Sequence, residues 1–258
     1  MKKVLALILS VFVLASFSGC RTTVDRLVEL KDNAALAYRM AAGVTIILEP
    51  DVEDLSKLTW RQMDTASAVL RARLDSIGYW DAEVNVLNDN RIGIIFPKKA
   101  EPEDAGKLIE MLSRRAVLEF CYVYTEPDED GNTRYATAME GTTDNIYSAS
   151  VNYGMIEPGG SSEYYIDLTF TYTGSIYFKL ATENVVNGTY NGEEINNVIA
   201  IILDGDVISA PSVSEVIDST NCIIHGDFDA DNSANLADLL NSAIMPFGFR
   251  NVEIVEAE

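Results

Sequence analysis

Ala200-Ile201-Ile202-Leu203-Asp204-Gly205-Asp206-Val207-Ile208-Ser209-Ala210-Pro211 reads as the centre of a β-hairpin spanning Val198 to Ala210. Two apolar, β-branched runs flank Asp204-Gly205, a pair that tolerates the positive φ angles of a two-residue turn. Downstream, Cys222 to Phe228 forms a further strand, Ala230 to Ala243 a helix with Leu236, Leu239, Leu240 and Ala243 on one face, and Val252 to Val255 a last strand. Upstream, Asp167 to Thr173 reads as a strand, and Gly174-Ser175 opens a helix through Ile176, Leu180 and Ala181. Val117 to Tyr124 is strand-like. Thr125 to Glu163 is rich in Gly, Thr, Ser, Asp and Glu, which predicts long loops around short elements.

The N-terminal half has a sharper pattern. Gly43 to Glu49 alternates Val44, Ile46 and Leu48 against Thr45, Ile47 and Glu49, a strand that Pro50 ends. Thr59 and Gln62 form a capping box before a helix whose apolar stripe is Trp60, Met63, Ala66, Leu70, Leu74 and Ile77, stopped by Gly78. Ala82-Val84-Val86 and Ile92-Ile94-Phe96 alternate on either side of Asn88-Asp89-Asn90, as a hairpin does. A second helix starts at Pro102, with Glu103 and Asp104 in its first turn and Arg114-Arg115 at its end. The order βαββα lacks one strand of a split βαβ, ferredoxin-like fold, and Val252 to Val255 can supply it. The fold class is therefore α+β.

Composition narrows the function. The 258 residues are 48% hydrophobic and 23% charged, which excludes disorder and collagen. Forty acids against nineteen bases give a net charge of -21, so nucleic acid is excluded as a partner, and an anionic membrane face repels the chain. No nucleophile elbow or phosphate loop is present, and His225 is the sole histidine, beside Gly226 at a strand end. Glu193-Glu194 and Asp128-Glu129-Asp130 lie in loops as solvated turns. The chain is read as a non-enzyme with no cofactor.

Residues 1–19 read as a signal peptide: Met1-Lys2-Lys3, then an apolar run from Val4 to Ser18 that is shorter than the roughly 20 residues needed to span a bilayer. Ser18-Gly19 before Cys20 resembles a bacterial lipobox, with Phe17 where leucine is usual. Cys20 is thus the candidate lipidation site, and two acyl chains there would anchor the chain stably. Residues 20–42 form a tether. Over Arg21 to Ala42 it would reach roughly 33 Å as helix and roughly 75 Å extended. Cys121 and Cys222 then remain, each in a predicted strand, as two free thiols or as a pair if those strands are neighbours.

A calcium loop competes for one stretch. Asp227, Asp229, Asp231, Asn235 and Asp238 fall at positions 1, 3, 5, 9 and 12 of an EF-hand-like spacing. Asn232 stands where the sharp turn wants glycine, and Asp238 where glutamate is expected. Capping explains the same acids, with Asp229 as N-cap of the following helix.

The ordered landmarks resemble the first extracytoplasmic domain of the SecD family of protein-export auxiliaries. Gly43 to Glu49 resembles its first strand, Asn90-Arg91-Ile92 with Phe96-Pro97 the strand before its second helix, and Ala116 to Phe120 the start of its head. Thr182 and Asn184 near a helix end, the run Ala200 to Pro211, Ile224-His225-Gly226-Asp227-Phe228, Leu236-Ala237 and Ala243-Ile244-Met245-Pro246 follow in order. Upstream, Tyr38 to Gly43 departs from the family's double-glycine motif and keeps only the second glycine. The resemblance implies a ferredoxin-like base at 43–115 plus 247–258 and an inserted α+β head at 116–246. It implies an extracytoplasmic, membrane-anchored accessory of Sec-dependent export that binds unfolded or translocating secretory polypeptide, beside the Sec channel and other Sec auxiliary subunits, without the family's membrane-helix motor. Ten of the twelve tyrosines lie between Tyr122 and Tyr190. Tyrosine suits adaptable peptide contacts, and Tyr124, Tyr164, Tyr165 and Tyr190 are the candidate substrate-binding residues. The alternative is a structural or adhesive surface lipoprotein that reuses this fold and binds calcium.

Overall fold

β1 (Gly43–Pro50) begins the part of the chain that the computed structural model describes, residues 43–156 and 159–256. The signal segment, Cys20 and the tether lie outside the described residues. After β1 come α1 (Trp60–Ser76), β2 (Glu83–Val86), β3 (Ile92–Pro97) and α2 (Ala105–Ser113). The head adds β4 (Leu118–Tyr124), β5 (Tyr135–Thr137), β6 (Ile146–Met155), β7 (Ser162–Phe170), α3 (Tyr172–Asn187) and β8 (Thr189–Tyr190). It ends with β9 (Glu193–Leu203), β10 (Asp206–Ser209), β11 (Asn221–His225) and α4 (Ala230–Asn241), before β12 (Phe249–Glu256).

The base sheet has the order β12-β1-β3-β2, antiparallel throughout, which is the split βαβ arrangement. Ile46 stands opposite both Ile254 and Ile94, so the even residues of β1 face the helices. Ile46, Leu48, Ile92, Ile94 and Phe96 pack there against Met63, Ala66, Leu70 and Leu74 of α1. Glycine is required at the start of β1, because a Cβ on Gly43 would collide with the carbonyl oxygen of Phe96. The capping box forms as predicted, with Gln62 N donating to Thr59 Oγ1 at 3.3 Å and Thr59 N donating to Gln62 Oε1 at 3.0 Å. Trp60 departs from the predicted stripe. The first turn of α1 overhangs the core and leaves its ring 75% exposed. α2 also starts later than predicted, since Asp104 accepts from Lys107 N at 3.0 Å and so takes the cap.

The head wraps a second core between the sheet β10-β9-β4-β5, with β8 on β9, and the sheet β11-β7-β6. The Asp204-Gly205 turn joins β9 to β10 with φ of 53° and 91°. Two predictions change here. β6 is a ten-residue strand where loops were expected, paired along its length with β7. α3 begins at Tyr172, because Thr171 Oγ1 accepts from Gly174 N at 3.0 Å and caps the helix earlier.

A buried cation joins base to head. Arg73 of α1 is 2% exposed; its Nη1 donates to the carbonyls of Leu112 at 3.2 Å and Arg114 at 2.5 Å at the end of α2, and its Nε to Ser242 Oγ beyond α4 at 3.1 Å. Asp204 grips the first residues of the head, accepting from Val117 N at 2.9 Å and Ala116 N at 3.2 Å. Arg73→Ala would orphan those carbonyls and leave a cavity, so it should cost about 2–4 kcal/mol in urea unfolding, with Arg73→Lys recovering only part.

Candidate functional site

Side chains that alternate along β9 decide where the head opens. Ile199 and Ile201 point into the core with Phe120 of β4, while Ala200 and Ile202 form a small cluster with Cys121 on the opposite face. Beyond β10, residues 211–218 run back across β9 as a strap. Ile199 N donates to Pro211 O at 3.2 Å and Val213 N to Asn197 O at 2.8 Å. Thr182 of α3 accepts from Ile217 N at 3.0 Å, and Lys179 pairs with Asp218 at 2.6 Å, so α3 pins the far end of the strap.

Between this strap and β11 lies an apolar groove of about 420 Å³. Phe120 and Phe178 form its aromatic floor, with ring centroids 5.7 Å apart, and Phe170 packs edge-on against Phe120 at 6.0 Å. Ile199, Ile201, Val213 and Ile217 line one wall; Cys222 and Ile223 line the other, with Asp167 and Asn221 as polar groups at hand. Few polar groups and an aromatic floor suit an apolar side chain or a short extended segment better than a charged metabolite. A second cleft, of about 480 Å³, separates α2 of the base from the start of α4. Lys107 and Asp231 approach across it to 3.6 Å.

The four candidate tyrosines do not line the groove. Tyr190 packs against buried Tyr122 with centroids 4.5 Å apart, and Asn184 donates to Tyr122 Oη at 2.9 Å. Burial raises the Tyr122 phenol, and that hydrogen bond partly offsets the rise. Tyr124 carries the Arg134 guanidinium 4.3 Å over its ring, and Arg134 is held in a fork by Glu193 at 2.8 and 3.2 Å. Tyr164 stacks on Tyr153 at 4.8 Å near the end of the β6–β7 hairpin, and Tyr165 lies opposite Asn152 and His225 on the other face of that sheet. The structure thus brings Tyr124 and Tyr190 to one end of one sheet and leaves Tyr164 and Tyr165 on the other.

The stretch read as a calcium loop is otherwise engaged. Asp229 accepts from Asn232 N at 2.8 Å as N-cap, and Asn232 Oδ1 accepts from Asp229 N at 2.8 Å. Asp231 pairs with Lys107, and burial raises the Asp238 carboxyl. Among the described residues no group of three or more His, Cys, Asp or Glu is placed to hold a metal ion. Cys121 and Cys222 are free thiols on opposite sides of the head's packing.

Comparison with known proteins meets this geometry at the head. Residues 122–247 match the family described as SecDF, P1 head subdomain. The protein translocase subunit SecD of Sebaldella termitidis is 26% identical over 86% of this chain and 48% of its own length. That of Acidaminococcus fermentans is 27% identical over 84% and 44%. The chain therefore spans about half the length of the curated relatives it matches. Two solved structures share the fold: SecDF in a super-membrane-facing form, with a TM-score of 0.64 and 20% identity over 84% of this chain and 31% of that one, and a structure from SecDF described as a membrane component that enhances protein export, with 0.61 and 21% over 80% and 96%. The base and head architecture read from the landmarks is the one found.

Burial pushes the Cys121 thiol up to about 11 and the groove thiol of Cys222 up to about 12, in each case with a smaller push from a nearby acid, Glu119 or Asp167. Both thiols stay protonated in the fold after an unfolded chain has begun to ionise near 9.0. Their contribution is therefore complete below pH 9 and is lost as pH rises from 9 toward 11–12. The unfolding free energy should fall over that range, and the Cys121→Ala/Cys222→Ala variant should show a shallower fall, by up to about 1.4 kcal/mol per pH unit for each thiol removed.

Proposed function

We propose that this SecD-like chain works at the outer face of the cell membrane as an accessory of Sec-dependent protein export, holding stretches of translocating or unfolded secretory polypeptide in the groove of its head. The observation that carries this reading is the apolar groove itself, floored by Phe120 and Phe178, in a head that matches the SecDF P1 head subdomain. A pocket that offers shape, aromatic surface and few polar partners binds many sequences weakly. That behaviour suits transient retention of unrelated chains and does not require a catalytic group. The activity is binding, and the partners are the emerging polypeptide and the Sec channel with its auxiliary subunits. Residues 43–115 with 247–258 form the base in this reading, and 116–246 the head.

The anchor follows from the N-terminal sequence. Cleavage after Gly19 and diacylation of Cys20 would tie the base to the membrane through residues 20–42. No helix among the described residues is long and apolar enough to cross a membrane.

Three measurements test this. Ile223 is 39% exposed at the groove wall, so Ile223→Glu should fold normally yet weaken binding of an unfolded, reduced secretory protein at least tenfold in fluorescence titration. Photocrosslinkers at Ile217 and Ile223 should capture a stalled secretory chain in cells, while the same probe at Trp80 of the base should not; equal capture would count against the groove. Cys20→Ala should abolish incorporation of labelled palmitate and release the protein from membranes, and retained labelling would place the anchor elsewhere.

A further inference from the structure

β6 is the edge strand of the head's second sheet, and its outer edge is open. The start of that edge shows what fits there. Ala149 N donates to Asn241 Oδ1 at 2.9 Å, and Asn241 Nδ2 donates to Ala149 O at 2.8 Å, so one side-chain amide makes both bonds that a neighbouring strand would make. The backbone groups of Ala149 therefore point away from β7. In an antiparallel ladder that orientation repeats every second residue, and the register from Ser148 to Met155 is unbroken. Val151, Tyr153 and Met155 thus turn their N–H and C=O groups outward, and no partner for them is found among the described residues.

Edges of this kind are normally blunted by lysine, proline, an inward charge or a bulge. Ser148-Ala149-Ser150-Val151-Asn152-Tyr153-Gly154-Met155 contains no charge and no proline, and the register shift of β6 lies before it, between Ile146 and Ser148. On one face of this edge Tyr153 and Met155 are 64% and 60% exposed, with Tyr164 stacked on Tyr153. On the other are the small or polar Ser150, Asn152 and Gly154.

Charge selects the occupant. Asp238 precedes Asn241 by three residues on α4, on the helix face that Asn241 presents to Ala149. Its carboxylate has no hydrogen bond or ion pair among the described residues, and Asp167 and Glu163 of β7 lie opposite Ser150 and Gly154. A second copy would bring another net charge of -21 to this edge. We infer that the edge of β6 takes up an extended, basic and apolar segment of the held polypeptide as an added strand, its backbone on Val151, Tyr153 and Met155 and a lysine or arginine against Asp238. This rests on the polypeptide-holding reading above and adds a second contact to it.

The test uses the full 258-residue chain in detergent micelles and a 13-residue peptide alternating valine with lysine and threonine, beside a twin with glutamate for lysine. With the lysine peptide, site-resolved amide exchange at Val151, Tyr153 and Met155 should slow at least tenfold, and the glutamate twin should bind at least tenfold more weakly. Tyr153→Pro removes an outward N–H without touching the β6–β7 ladder and should weaken binding at least tenfold. Asp238→Asn, which leaves the backbone alone, should bring the two peptides within about twofold of each other. Unchanged exchange at saturating peptide, or wild-type affinity of both variants while an unfolded secretory protein still binds, overturns the edge and leaves the groove reading standing. Loss of all binding, of peptide and unfolded protein alike in the unmodified chain, overturns both. Protection that grows with protein concentration in the absence of peptide assigns the edge to a second copy and overturns the inference.

Discussion

A single guanidinium, that of Arg73, holds the two halves of the molecule in register. Burial pulls it down to about 10, still charged at neutral pH, so the fold keeps a desolvated cation at the junction. Its partners explain why. The last carbonyls of α2 would be orphaned at a buried helix end, and a cation there also meets the negative pole of the helix. An apolar side chain would fill the space and leave those oxygens bare. Because Nε reaches Ser242 after α4, the bond that closes a base helix also registers the head.

Asp204 completes the joint from the other side. The turn residue that makes the β9–β10 hairpin possible also accepts from the backbone of Ala116 and Val117, and Asp204 N donates back to Val117 O at 2.9 Å. Ala116 sits at φ 68°, a conformation an alanine adopts only when its surroundings impose it. The same few residues that specify a hairpin therefore aim the head, which places the groove and the open edge relative to the base sheet.

Local signals carried most of the architecture. Thr59 with Gln62, Asp204 with Gly205, and the alternation of Gly43 to Glu49 each use one short-range rule, and each is present in the structure. The missing strand of the split βαβ was supplied by β12, where only Val252 to Val255 had the pattern. β6 was hidden because its period-two signal is weak: Ala149 is buried and Val151 partly buried, Ser148, Ser150, Asn152 and Gly154 alternate with them, and Tyr153 and Met155 stay exposed on the same face as Ala149. The groove was not legible at all. Its walls come from β9, the strap, β11 and α3, and only the fold brings Phe178 to Ile223. Thr182 and Asn184, two landmarks of the resemblance, turn out to pin the strap and to hold Tyr122. Tyrosine enrichment marked the head, but none of the four candidate tyrosines lines the groove, and Tyr124 and Tyr190 pack against Arg134 and Tyr122.

The pairing of β1 with β12 sets Val44 opposite Glu256, so one sheet draws strands from both ends of the described chain. During synthesis the base cannot close until the head has been made, and its β1 edge stays unpaired meanwhile. A contact of such long sequence separation is slow to form from an open coil. The head alters that arithmetic: Met245 N donates to Arg115 O at 2.9 Å, which holds the two ends of the insertion side by side. Once folded, the head turns a long loop into a short one, and loop closure then carries little entropy penalty. The inserted subdomain is thereby a folding template for the base that carries it, and vectorial emergence of the chain sets the order in which the two are built.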